Sequence, residues 1–322
     1  MCSHDEYSCG GTTVKILFDV ITPKQARMAV ATWKRFSKDH EIHIASREYA
    51  ETNDVLTHYQ VPFTSSGEYF SDTQKKFVSR IERLHFLVDN FSDVDAIITQ
   101  AAIETVHMGV GLGKPVVVLT DATKRKYLNR QIIPSATYHL REELTKGIWE
   151  YEPEIPVYMD ACQEHFYTKT VKRKNSNLVV LREFEHHASY AEGVTPIDIR
   201  KQIKRFCKDY GFELLELARY TSHRFVPPEE IFSKAVLVVT GGSSMAIEAV
   251  LTQIPAVSFY PNYFPKFEYL IERKYPLKRI RDPKSLQPQL EQLMQLPPTT
   301  HHFKDDPLDK MAWILKDIEK QL

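Results

Sequence analysis

The stretch from Val236 to Phe259 reads VLVVTGGSSMAIEAVLTQIPAVSF and concentrates the residue types best suited to hold an anion. An apolar strand runs into Gly241, Gly242, Ser243 and Ser244, then a helix carrying Glu248, then a second apolar strand. Glycines before a helix let a backbone approach a phosphate, and the free N–H groups and dipole there favour negative charge. Glu248 lies one turn further on, within reach of ribose hydroxyls. A diphosphate bearing a sugar is the ligand this chemistry suggests. The plain alternative is a strand-to-helix turn that needs glycine only for its backbone angles.

Other polar groups carry weaker signals. Glu104 and His107 sit one helical turn apart, a spacing that can form a ligand pair, but no third ligand follows at metal spacing. The adjacent His186 and His187 point in different directions on a strand or loop, and His301 and His302 follow two prolines in a loop read as exposed. Arg47, Glu48 and Glu51 open a helix, where acids are expected for structural reasons, although they could also line a substrate site. No metal and no cofactor are expected.

The composition narrows the classes. In 322 residues, Lys+Arg and Asp+Glu both number 42, so the zero net charge argues for neither nucleic acid nor an anionic membrane surface. No apolar run reaches the length of a transmembrane segment, and the polar N-terminal MCSHDEYSCGG lacks the apolar core of a signal peptide. The four cysteines, Cys2, Cys9, Cys162 and Cys207, match no metal or redox spacing, so free thiols in the cytoplasm are expected.

The elements that would position these residues alternate in type. Strands are read at Val14–Val20, Ile42–Ala45, Ala96–Ile98 and Val116–Leu119, with helices at Lys24–Lys38, Tyr49–His58 and around Glu104–Leu112. A long helix from about Asp72 is expected to bury the stripe Phe77, Ile81, Leu84, Val88 and Phe91. A second series follows: strands Leu178–Leu181, Phe212–Leu217 and the glycine-bearing unit, with helices at Pro196–Tyr210, Lys266–Lys274 and Ser285–Gln295. The fold class is α/β, two doubly wound Rossmann-like domains facing a cleft, with ligands at the carboxyl ends of the strands. The expected boundaries are a polar tail over 1–13, a first domain over 14–145 and a connection over 146–177. A second domain over 178–304 and a final helix over 305–322 complete the chain. The basic run Lys169–Asn177 is read as a solvated linker.

Two such domains, with Gly242-Ser-Ser-Met-Ala-Ile-Glu248 in the second, resemble the GT-B class of nucleotide-sugar enzymes. The spacing is similar to that of the transferases that add N-acetylglucosamine to a lipid-linked cell-wall precursor. In that class the glutamate holds ribose, the glycine turn holds diphosphate, and the final helix crosses back onto the first domain. The first domain is more similar to UDP-N-acetylglucosamine 2-epimerases, through Ile21-Thr22-Pro-Lys24-Gln-Ala26 and through Asn129-Arg130. The TPK loop, Arg47–Thr52 and the glycine-glutamate unit together resemble a prokaryotic GT-B-like family of unassigned activity. That likeness extends over most of 14–283.

The departures weigh against epimerisation. Asp121 stands where a glutamate is expected, and Lys126-Tyr127-Leu128 precedes Asn129-Arg130 without the usual glutamates. Arg182-Glu183-Phe-Glu185-His186-His187 replaces the family's histidine-arginine segment. The resemblance thus implies a glycosyltransferase using a nucleotide-diphosphate sugar, UDP-linked by preference. An epimerase or hydrolase is the first alternative and a non-catalytic sugar-nucleotide binder the second. Arg182 and the Gly241 and Gly242 amides would hold the diphosphate. Asp19, then Asp121, would serve as base, though Asp19 also reads as a turn carboxylate interacting with the TPK loop. Thr22, Lys24, Glu104, Asn129 and Arg130 would line the cleft. The acceptor is open, with a lipid-linked one natural to the class and a peripheral position at the inner membrane face its corollary; a homo-oligomer is allowed.

Overall fold

The computed structural model describes residues 12–322 except 122, 124, 175, 185–197, 219–224, 243, 261–263 and 298. The chain forms two compact units. The first comprises the described residues through Arg141, Trp149–Val157 and Leu308–Leu322; the second comprises Glu142–Ile148 and Tyr158–Pro307.

The first unit begins with strand β1 (Lys15–Val20), helix α1 (Pro23–Phe36), β2 (Glu41–Glu48), α2 (Thr52–His58), β3 (Thr64–Glu68) and α3 (Thr73–Phe91). It continues through β4 (Ala96–Thr99), α4 (Ile103–Gly111), β5 (Val116–Val118), α5 (Lys126–Ile132), β6 (Tyr138–Glu142) and β7 (Ile155–Met159). These seven strands form one sheet in the order β3-β2-β1-β4-β5-β6-β7. The apolar runs ILF, AII and VVV are buried on both sides, as a parallel sheet covered by helices requires. Strand order reverses between β1 and β4, so Asp19 and its register partner Thr99 end at a topological switch point.

Helix α3 forms as expected but is turned by roughly 100° from the expected orientation. Its buried positions are Ser79, Arg83, Leu87 and Phe91, whereas Phe77 and Ile81 are 62% and 51% exposed and Val88 is also exposed. The cause is Arg83. Its guanidinium enters the core, donates to the carbonyls of Ser46 and Ser66, and pairs with the wholly buried Asp19, which also accepts from the Thr105 hydroxyl. One charged pair thereby overrides the apolar stripe.

Strand β6 is a second exception, because its buried residues include His139, Arg141 and Glu142. Arg141 Nε donates to His139 Nδ1 at 2.8 Å, so His139 Nε2 carries the proton and donates to the Thr120 carbonyl at 3.2 Å. Arg141 also pairs with Glu152 at 2.6 Å and lies over the Trp149 ring. Burial, and then Arg141, push the His139 pKa down to about 3. The stretch read as a connection supplies β7, the edge strand of this sheet.

The second unit holds β8 (Leu178–Arg182), α6 (Arg200–Tyr210), β9 (Glu213–Leu217), α7 (Pro228–Phe232) and β10 (Ala235–Thr240). Then come α8 (Ser244–Leu251), β11 (Ala256–Ser258), α9 (Pro265–Glu272), β12 (Leu277–Arg279) and α10 (Leu286–Met294). The sheet order is β12-β11-β10-β8-β9. Val180, Val238, Ala256 and Leu277 pack with Ala246, Val250, Phe267 and Leu270 of α8 and α9. The opposite face packs Val179, Leu181, Leu237, Val239 and Val257 on α6 and α10. Here the order reverses between β8 and β10.

The last helix, α11 (Pro307–Glu319), buries Met311, Ile314, Leu315 and Ile318. It belongs to the first unit from Leu308 onward, where the Tyr138 hydroxyl donates to Asp317 at 2.8 Å. Among the described residues no helix is long and apolar enough to cross a membrane.

Two outcomes follow. Asp19→Ala leaves the Arg83 guanidinium buried without its partner and costs about 3–5 kcal/mol in urea denaturation, whereas Asp19→Leu with Arg83→Met costs far less. A single-variant cost below about 1 kcal/mol would show that the pair does not anchor α3. Separately, unfolded His139 takes up a proton near its ordinary pKa of 6.5, while the folded chain refuses it until about pH 3. Stability therefore falls as the pH drops through that window, by up to about 1.4 kcal/mol per pH unit from this group. In denaturation at a series of pH values, His139→Gln removes that part of the slope; an unchanged slope would mean that His139 titrates normally.

Candidate functional site

In the second unit the switch point places Arg182 at the end of β8 beside Thr240 at the end of β10. Register extends this row to Ser258 on β11 and Arg279 on β12. Residues in register on parallel strands share a face, so the row Arg182-Thr240-Ser258-Arg279 runs along the carboxyl edge on the side of α8 and α9. Arg279 pairs with Glu268 of α9. Among the described residues, the buried Arg182 Nε has no hydrogen-bond partner. A guanidinium left in that state is an anion-seeking group, because its N–H has been withdrawn from water without a replacement.

The glycine turn serves a purpose other than backbone angles. Gly241 does not have a positive φ. A Cβ on Gly241 would lie 2.6 Å from Phe184 Cα and 2.7 Å from the Phe259 ring, so close approach of the Phe184 backbone demands glycine there. Both amides already donate, Gly241 N to the Arg182 carbonyl at 3.2 Å and Gly242 N to Thr240 Oγ1 at 3.1 Å. Any N–H groups left to meet a ligand at this turn are therefore those of the first turn of α8, which begins at Ser244. Ser243 lies outside the described residues, as do Glu185, His186 and His187. Glu248 is buried on α8 and accepts a hydrogen bond from the Tyr167 hydroxyl at 3.4 Å.

The first unit gathers its candidates at the carboxyl edge of its own sheet. Thr22 caps α1 by accepting from Gln25 N at 3.4 Å. Lys24 Nζ and Asp121 Oδ2 meet at 2.9 Å, both side chains 19% exposed, tying the start of α1 to the loop after β5. Asp19 is enclosed with both carboxylate oxygens engaged. Glu104 pairs with Arg80, while His107 is exposed, so the two do not form a ligand pair. Asn129 is buried and donates to the Thr123 carbonyl at 3.3 Å; Arg130 is exposed over the Tyr127 ring.

Two groups escaped the sequence reading, and two residues were placed in the wrong element. Thr240, Ser258 and Arg279 join the site only through strand order, which spacing does not reveal. Arg47 and Glu48, read as opening a helix, instead end β2, and among the described residues the buried Arg47 Nε has no hydrogen-bond partner. A buried cluster of Glu142, Cys162 and Glu164 brings three ligand-type atoms within 4.8 Å. Lys266 Nζ stands 2.6 Å from Glu142 and 3.1 Å from Glu164, so an ammonium supplies the positive charge there. His301, expected in an exposed loop, is part-buried against Phe303 and Tyr275.

No protein-family model matches the sequence, and no curated protein matches it. Solved structures do. A Neisseria meningitidis UDP-GlcNAc 2-epimerase bound to UDP-GlcNAc is similar at a TM-score of 0.70 and 11% identity, over 95% of this chain and 100% of that one. The Methanocaldococcus jannaschii UDP-GlcNAc 2-epimerase, in complex with UDP-GlcNAc and UDP, scores 0.69 at 12% identity over 94% and 99%. The spinosyn forosaminyltransferase SpnP scores 0.59 at 12% identity over 96% of each chain. The chain has the two-unit α/β fold that these epimerases and GT-B glycosyltransferases share.

Proposed function

We propose that the chain transfers a sugar from a nucleotide-diphosphate donor, by preference UDP-linked, to an acceptor hydroxyl. The observation that carries this reading is the buried Nε of Arg182, without a partner among the described residues, at the switch point of the second sheet, in register with Thr240 at the end of the strand that precedes α8 and Glu248. Arg182 and the N–H groups opening α8 would hold the diphosphate, and Glu248 the ribose. As the anomeric carbon–oxygen bond breaks, negative charge grows on the departing diphosphate. Fixed donors aimed at that charge lower the barrier without reorganising. The structural neighbours that bind UDP-GlcNAc or UDP support the choice of ligand class.

The acceptor hydroxyl must lose a proton as it attacks. Asp121 is the carboxylate we assign to receive it, because it is partly exposed beside Lys24, whereas Asp19 is sealed under Arg83 and Thr105. Thr22, Lys24, Asn129 and Arg130 would position the acceptor side. Exposed Tyr69, Phe77, Val78 and Ile81, beside Lys75 and Lys76, support an amphiphilic, lipid-linked acceptor and a peripheral position at the inner membrane face.

Epimerisation is the second reading. It is favoured by the epimerase neighbours' higher TM-scores, 0.70 and 0.69 against 0.59. Against it stand the first unit's acids: Asp19 and Glu104 are paired with arginines, and removal and return of a sugar-ring proton needs acids that face the ring.

A donor at about ten times its dissociation constant raises stability by about 1.4 kcal/mol, read as a thermal shift across a panel of nucleotide sugars. The expected outcome is a selective shift with one donor that Glu248→Ala abolishes. Retention of the shift in that variant removes Glu248 from the site, and no shift with any donor removes the nucleotide-sugar reading. Product analysis of the donor alone then separates the two reactions, since an epimerase converts it without an acceptor.

A further inference from the structure

Where β1 and β2 end in the first sheet, one guanidinium has no ion-pair partner among the described residues. Three arginines, Arg47, Arg80 and Arg83, converge on two acids, Asp19 and Glu104. Arg83 takes Asp19, and Arg80 takes Glu104. Among the described residues Arg47 forms no ion pair, and its Nε is buried without a hydrogen-bond partner. The groups that act on it electrostatically are Arg83, which repels it, and Glu104, Asp19 and Tyr49. Burial first, and then Arg83, hold its guanidinium below the ordinary arginine value.

The surroundings of Arg47 are built rather than incidental. It follows Ser46, the register partner of Val20, so it stands one strand from the switch point where ligands collect on such sheets. Its guanidinium carbon lies 5.9 Å from the centre of the Tyr69 ring, which Lys76 Nζ approaches to 5.6 Å. Tyr49 packs on the same ring at 5.1 Å. The next residue, Ala50, has φ +46, a left-handed conformation that costs energy for a residue with a side chain. Strain of this kind, next to an unneutralised and partly desolvated cation, is retained where something else is gained.

We propose that Arg47 seats an anionic group, a phosphate or carboxylate, of the ligand bound by the first unit. The planar guanidinium offers a fork of N–H donors matched to either anion, and the Arg83 charge behind it strengthens the attraction. Tyr49 and Tyr69 then flank the portion of the ligand adjoining the anion. This deepens the transferase reading by giving the acceptor a negative charge, and it rests on the first unit being the acceptor side.

The test uses the full chain and phenylglyoxal, which modifies arginine, with the extent at Arg47 read by peptide mass spectrometry. Inorganic phosphate, acetate and n-octyl phosphate are compared with sodium chloride at equal ionic strength. An anion at about ten times its dissociation constant leaves roughly one site in eleven free and slows modification at Arg47 about tenfold. Protection by phosphate and n-octyl phosphate alike identifies a small polar anion. Protection by n-octyl phosphate at much lower concentration identifies an anion on an apolar tail, and protection by acetate alone a carboxylate. Unchanged modification in all three, or no modification of Arg47 in chloride, overturns the proposal. As a second readout, in an Arg182→Gln background that removes the second unit's anion-seeking guanidinium, Arg47→Gln abolishes the remaining phosphate-dependent rise in melting temperature; a variant that keeps it also overturns the proposal. Neither readout involves Glu248, so failure here leaves the donor site standing.

Discussion

Arg83 enters the core of the first unit because Asp19 is there to receive it, and several features of that unit follow from their pairing. The guanidinium joins α3 to β1 through Asp19, to β2 through the Ser46 carbonyl and to the β3 strand through the Ser66 carbonyl. A buried charge must be met in this way, since its desolvation is otherwise uncompensated. The pairing rotates α3 and leaves Phe77, Ile81 and Val88 at the surface. It also consumes the carboxylate at the end of β1, leaving Asp121 as the accessible acid and Arg47 beside a second cation.

The second unit builds its candidate edge by a different route. Its sheet contributes a row of polar side chains, Arg182, Thr240, Ser258 and Arg279, at the carboxyl ends of adjacent strands. Gly241 is held against Phe184 and Phe259, so β10 turns tightly into α8 and its first turn opens beside that row. The close packing of Gly241 against Phe184 and Phe259 is a packing constraint at the end of β10. Donor chemistry thus requires little from individual acids and bases and much from the fixed positions of donors.

Both sheets were legible wherever the buried strand is also apolar. VKILFDV, AII and VLVV read as strands because strands covered on both faces carry continuous apolar runs. Strand β6, YHLRE, did not, since His139 and Arg141 neutralise their burial cost through contacts with Thr120, Glu152 and Trp149, distant in sequence. The stripe on α3 misled for the same reason: periodicity reports apolar residues, and here the decisive interior residue is an arginine. At the site, Arg182, the glycines and Glu248 stood out from type and spacing. The alignment of Ser258 and Arg279 with them depends on strand order. The engagement of Asp19 and Glu104 depends on tertiary pairing, which one-dimensional spacing does not encode.

The central claim is that a nucleotide diphosphate occupies the carboxyl edge of the second sheet, against α8. Amide hydrogen exchange of the full chain with and without UDP addresses it directly, peptide by peptide. The account predicts slowed exchange over Thr240–Leu251 and at the end of β8 around Arg182. UDP binding that protects only peptides of the first unit, or saturating UDP that leaves Thr240–Leu251 unchanged, would contradict it.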